Sequence, residues 1–90
     1  MNRFKGQKAR RAYENRFAHG VPEHISSDAH KKIRILMAAR SLQDVGILGR
    51  IVRWQKSPEW YGIELQGSKW HVLFRWSNEF GAFEISLERR

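Results

Sequence analysis

A chain of 90 residues has room for one modest hydrophobic core, and 41% hydrophobic with 29% charged residues reads as globular rather than disordered. The absence of cysteine excludes disulfides and thiolate chemistry and fits a cytoplasmic protein. No apolar run is long enough to span a bilayer, and no apolar signal region follows the basic opening MNRFKGQKARR.

The net charge is +8, and it is unevenly spread. Residues 1–34 hold nine basic and three acidic residues, a net of +6; the remainder holds eight and six, a net of +2. Clustered cations bind phosphates through counterion release, so this balance points to a nucleic acid or an acidic protein partner; the plainer reading is solubility. His19, His24, His30 and His71 are far apart and none sits at metal-ligand spacing, so no metal and no cofactor are expected.

In chain order, residues 2–5 form a candidate short strand ending at Gly6. QKARRAYENRFAHG reads as a helix, with Ala9, Ala12, Tyr13, Phe17 and Gly20 on one stripe and Gly20 as its terminator before Pro22. Lys8, Arg11 and Asn15 lie off that stripe, on a face that meets either solvent or an anion. SSDAHKKIRILMAARSL reads as a second helix capped by Ser26 or Ser27. Its buried face holds Ala29, Ile33, Leu36 and Met37, and the link VPEHI makes the two helices an antiparallel hairpin. Leu42 and Val45 anchor the exit.

The period then changes from helical to alternating. GRIVRWQ, WYGIELQG, KWHVLFRW and GAFEISLE read as four strands joined by short turns. The expectation is therefore an α+β fold in a single domain, residues 1–90, with two N-terminal helices packed on one face of a small antiparallel sheet.

Alternation also assigns the faces. Trp70, Val72, Phe74 and Trp76 point toward the helices; Lys69, His71, Leu73 and Arg75 point away. Tyr61, Ile63 and Leu65 go inward, leaving Trp60, Gly62 and Glu64 outside. On the last strand, Phe83, Ile85 and Leu87 go inward and Ala82, Glu84, Ser86 and Glu88 outward. Ile51 and Val52 differ in parity, which predicts a bulge or a twist in the first strand. The open face then collects His71, Arg75, Glu64, Glu84 and Trp60. One reading is a cross-strand pair of Arg75 with Glu64 or Glu84. The other is a phosphate clamp, with His71 and Arg75 side by side, Trp60 stacking on a base, and Arg53 and Lys56 adding charge from the 53–59 turn.

The segments KKIRILMAARSLQDVGILGRIV, WYGIELQGSKWHVLFRW and GAFEISLE resemble the HigB-like (plasmid maintenance killer) toxins of the RelE/ParE superfamily. The resemblance rests on Ala39, Leu42, Asp44 and Val45 after the second helix, and on Trp70, His71, Phe74, Arg75 and Trp76 in the later strand. The opening NRFKGQKARRAYE is similar as well. It implies a RelE-like fold and a toxin neutralised by a HigA-like helix-turn-helix antitoxin. It also implies a metal-independent, ribosome-dependent endoribonuclease that cuts translated mRNA. Such cleavage needs a base for the ribose 2′-oxygen, cations for the phosphate and an acid for the leaving oxygen. By position, Arg75 stabilises the phosphate, His71 carries a proton where an arginine is common, and Arg53 and Lys56 assist. Trp60, Lys69, Arg89 and Arg90 are the candidate RNA-binding residues. The Lys-Gly-Asp-Arg-Lys-Gly loop of the family is degraded to RWQKSPEW here, and its Asp-Tyr-His ending is replaced by Glu88, Arg89 and Arg90. Two alternatives follow from that departure: a non-catalytic member that binds antitoxin or ribosomal RNA, and a ParE-like topoisomerase inhibitor.

Overall fold

The computed structural model of the protein describes residues 3–16, 20–48, 51–53 and 59–89. Its elements follow the order α1 (Gln7–Tyr13), α2 (Glu23–Ala38), α3 (Leu42–Val45), a 3₁₀ turn (Gly46–Leu48), β1 (Ile51–Arg53), β2 (Tyr61–Glu64), β3 (Trp70–Ser77) and β4 (Gly81–Arg89). The strands form one antiparallel meander, β1-β2-β3-β4. The fold is α+β, as the change of period in the sequence predicts.

The first helix is shorter than its apolar stripe suggests. It stops at Tyr13 because Asn15 takes a left-handed conformation, φ 58°. The Asn15 N–H then donates to Ala12 O (3.0 Å) and the Arg16 N–H to Arg11 O (2.7 Å). These two bonds are the Schellman pattern that satisfies a helix's last carbonyls, and asparagine tolerates the left-handed region better than most residues. The terminator is thus Asn15 rather than Gly20.

The second helix starts earlier than expected. Pro22 precedes it, and Glu23 places a carboxylate in its first turn, where the dipole favours one. Ser26 lies inside the helix, its N–H bonded to Pro22 O at 2.9 Å, so neither Ser26 nor Ser27 is the cap. The helix ends at Ala38, short of the expected Leu42, because Ala39 is extended. Arg3 Nη2 donates to Met37 O at 3.4 Å, serving a carbonyl left over in that last turn. Ser41 then caps α3, its Oγ accepting from the Asp44 N–H at 3.2 Å.

His30 joins the two helices. Its Nδ1 lies 2.9 Å from Ala12 O and 3.0 Å from Tyr13 O. Carbonyls only accept, so Nδ1 carries the hydrogen and shares it between two terminal carbonyls of α1. Replacing His30 by alanine is expected to cost about 1–2 kcal/mol, the usual price of orphaning a partly buried hydrogen-bonding group. Urea unfolding measures it; a change under about 0.3 kcal/mol would show that this contact does not hold the hairpin.

One apolar cluster lies between the helices and the sheet. It includes Ala9, Ala12, Ile25, Ala29, Ile33 and Leu36 from the helices, Val45 from α3, and Ile63, Val72, Phe74, Ile85 and Leu87 from the strands. Each large apolar side chain buried there stabilises by roughly 1.5–3 kcal/mol. Residues 3–5 run parallel to β4, with the Lys5 N–H bonded to Ile85 O and the Ile85 N–H to Arg3 O, both at 2.8 Å. This is the short strand expected before Gly6, reduced to a single bridge. Gln66 and Gly67, at φ 48° and 65°, turn β2 into β3 in the type I′ manner.

Among the described residues, the register slips between β3 and β4 and not in β1, where a bulge is one expectation. β1 pairs evenly with β2: Ile51 with Ile63, Val52 with Gly62, Arg53 with Tyr61. The slip falls between β3 and β4, where Leu73 faces Ser86 but Arg75 faces Phe83. Glu84, at φ 50°, sits in that slip. An extra residue in one strand reverses the facing of everything beyond it. Consequently Ala82 is buried in the core and Phe83 lies on the outer face beside Arg75, the reverse of simple alternation.

Candidate phosphate-binding face

The register settles which side chains share the helix-free face. Tyr61–Phe74 and Ile63–Val72 pair toward the core; Gly62–Leu73 and Glu64–His71 alternate with them and face away. Arg75 belongs to this second set. Its guanidinium sits between two carboxylates: Nη1 donates to Glu84 Oε1 at 3.0 Å and Nη2 to Glu59 Oε2 at 3.1 Å. Its Cζ lies 5.1 Å from the centre of the Phe83 ring. The side chain is 35% exposed. A guanidinium has five N–H donors, so donors remain after these two bonds are made.

The slip in β4 builds this arrangement. It swings Phe83 under the guanidinium and holds Glu84 where its carboxylate reaches Nη1. Alternation offers Glu64 or Glu84 as the cross-strand partner of Arg75; the pair formed is with Glu84, and Glu64 lies opposite His71 instead. Glu59 is a partner that strand periodicity does not reveal, because it precedes β2 rather than belonging to it. Trp60 follows it, with the Lys5 ammonium 4.9 Å from its ring. One face of Trp60 therefore already carries a cation, which competes with the expected stacking on a base.

His71 shares the face but not the site. It is 4% exposed, not open, and its Nδ1 lies 3.0 Å from Lys69 O, which makes Nδ1 the hydrogen-bearing nitrogen. In register, Glu64 and Glu88 are its cross-strand neighbours. Four residues of strand separate His71 from Arg75, about 13 Å at 3.3 Å per residue. Leu73, 6% exposed, stands between them. The imidazole and guanidinium are on one side of the sheet but are not side by side.

The other expected residues divide among three places. Arg53 pairs with Tyr61, so it lies on the helix-bearing side; its Cζ is 5.3 Å from the Tyr61 ring. It does not join Arg75, because one step of register separates the two faces. Arg89 faces Trp70 across β3 and β4, and exposed Lys69 precedes Trp70, so both lie at the far end of β3 from Arg75. There Lys8 adds a cation 5.7 Å from the Trp70 ring, a residue whose position off the apolar stripe of the first helix left it open to an anion-facing role. Lys56 and Arg90 lie outside the described residues.

Among the described residues, no group of three His, Asp or Glu side chains converges as a metal site, and no helix is long and apolar enough to cross a membrane. No family model and no curated protein matches the chain.

Proposed function

We propose that this protein is a RelE-like toxin that acts on RNA in the cytoplasm and is held in check by a HigA-like helix-turn-helix antitoxin. The observation that carries the RNA reading is Arg75: a guanidinium whose side chain is 35% exposed, oriented by two carboxylates and an aromatic ring, on the side of the sheet opposite the core it shares with the described helices. Such a fork matches phosphate geometry, and the net charge of +8 draws a polyanion toward the chain. The ordered resemblance of its segments to HigB-like toxins supplies the ribosome and translated mRNA as the setting.

In this reading Arg75 stabilises the charge on the phosphate during cleavage of the RNA chain. Proton transfer at the same phosphate requires a group within hydrogen-bond reach. His71 lies too far along β3 for that role. Among the described residues, the carboxylates of Glu84 and Glu59 are the proton acceptors seated at Arg75.

Two observations favour a second reading. The buried imidazole, together with an arginine already engaged twice, suits a member that grips RNA or antitoxin without cutting. Induced expression with mapping of mRNA 5′ ends separates the two. The nuclease reading expects growth arrest with new ends inside translated regions. Arrest with intact mRNA would favour the binding reading, and blocked DNA supercoiling with untouched RNA would contradict both.

A further inference from the structure

The two carboxylates that hold Arg75 are not alike. Glu84 is part of β4, fixed in the slip by its left-handed backbone, and its side chain is 35% exposed. Glu59 belongs to the approach to β2, outside any strand, and its side chain is 70% exposed. An exposed ion pair of the second kind is weak and easily exchanged. A phosphate approaching from solvent therefore meets Glu59 at Nη2 before it meets a vacant fork.

We infer that Glu59 is a built-in competitor for the anion at Arg75, whereas Glu84 orients the same guanidinium, so that RNA binding exchanges the Glu59 carboxylate for a phosphate oxygen. The inference rests on the reading of Arg75 as a phosphate ligand. It gives the exposed glutamate a regulatory role: it lowers the affinity of the site for lone anions and leaves it responsive to a chain of phosphates that binds at several points. Removal of the two carboxylates should then have opposite effects, although either removal deletes one negative charge.

The test uses the full chain and a short single-stranded RNA carrying 2′-O-methyl riboses, which blocks cleavage through the 2′-oxygen, with affinity read by fluorescence anisotropy at one salt concentration. Glu59→Gln is expected to tighten binding about two- to fivefold, the fold-change matching loss of an exposed ion pair. Glu84→Asn suits the left-handed backbone but is too short to reach Arg75, and it is expected to weaken binding. Glu79→Gln removes an exposed charge in the β3–β4 turn and controls for net charge; it should change affinity less than Glu59→Gln. In an Arg75→Gln background the gain from Glu59→Gln should vanish. If Arg75→Gln lowers affinity yet Glu59→Gln gives no gain beyond Glu79→Gln, the competitor role is overturned while the Arg75 reading stands. Equal tightening by Glu59→Gln and Glu84→Asn would overturn the division of roles. If Arg75→Gln leaves affinity unchanged, the phosphate reading itself fails, and the competitor with it.

Discussion

Replacing Arg75 by alanine is expected to abolish growth arrest on induced expression and to weaken RNA binding by about 10- to 150-fold, while the protein still folds. The affinity estimate follows from charge-assisted hydrogen bonds, worth about 1.5–3 kcal/mol when one partner is removed. The stability estimate is smaller because both ion pairs of Arg75 reach solvent: about 0–1 kcal/mol for each. For a domain of this size 1 kcal/mol corresponds to roughly 4–8 °C in Tm, so a thermal melt should stay cooperative and shift by no more than that order per pair. Alanine also leaves Glu59 and Glu84 facing the approaching RNA without their cation, which adds repulsion to the lost attraction. Arg75→Lys keeps the charge but not the planar fork and should fall between alanine and the parent. Growth arrest by Arg75→Ala as strong as by the parent would overturn the proposed role of Arg75 as the phosphate ligand.

Replacing Phe74 by alanine is expected to cost about 3–5 kcal/mol, the range for removing a buried aromatic ring. Phe74 is fully buried, and its ring stacks on Tyr61 with centroids 5.6 Å apart. Domains of this kind are stable by only about 5–15 kcal/mol in total, so the variant should unfold at markedly lower urea or temperature. Ile47→Ala is the matching control. Ile47 is 81% exposed, and its loss should stay within about 0.5 kcal/mol. A penalty below about 1 kcal/mol for Phe74→Ala would mean that β3 presents its other face to the helices, and the outward placement of Arg75 would fall with it.

These two substitutions lie on adjacent residues of one strand, and period-2 reading of β3 assigns both. The helices and the four-strand meander are legible for the same reason: long periodic runs bounded by turn residues. Errors concentrate where one residue overrides a period. Asn15 ends α1 through its left-handed backbone, although the apolar stripe continues past it. Glu84 reverses the facing of Phe83 and Ala82, and nothing in GAFEISLE marks a glutamate as the residue that takes φ 50°. Neither glycine nor asparagine, the residues that favour such a conformation, stands at that position.

The site was partly legible. The outward placement of Arg75 follows from alternation, which leaves its cross-strand carboxylate as either Glu64 or Glu84; the slip at Glu84 decides between them. Glu59 does not, because loop residues obey no period, and its role depends on where the chain enters β2. The burial of His71 is also invisible to face assignment: parity says which side a residue faces, not how far it is covered there. Arg53 shows the converse, an exposed cation near the same end of the sheet whose register places it on the wrong side.

The claim on which the account turns is that the helix-free face of β3, through Arg75, is where RNA phosphate is gripped. Titration of the ¹⁵N-labelled protein with the 2′-O-methyl RNA, following the arginine side-chain Nε–H signals by NMR, tests it most directly. The Arg75 signal is expected to move at the lowest RNA concentrations, with a larger response in Glu59→Gln. Movement confined to Arg10, Arg11 and Arg16 around the first helix, with Arg75 still locked to its two glutamates, would contradict it.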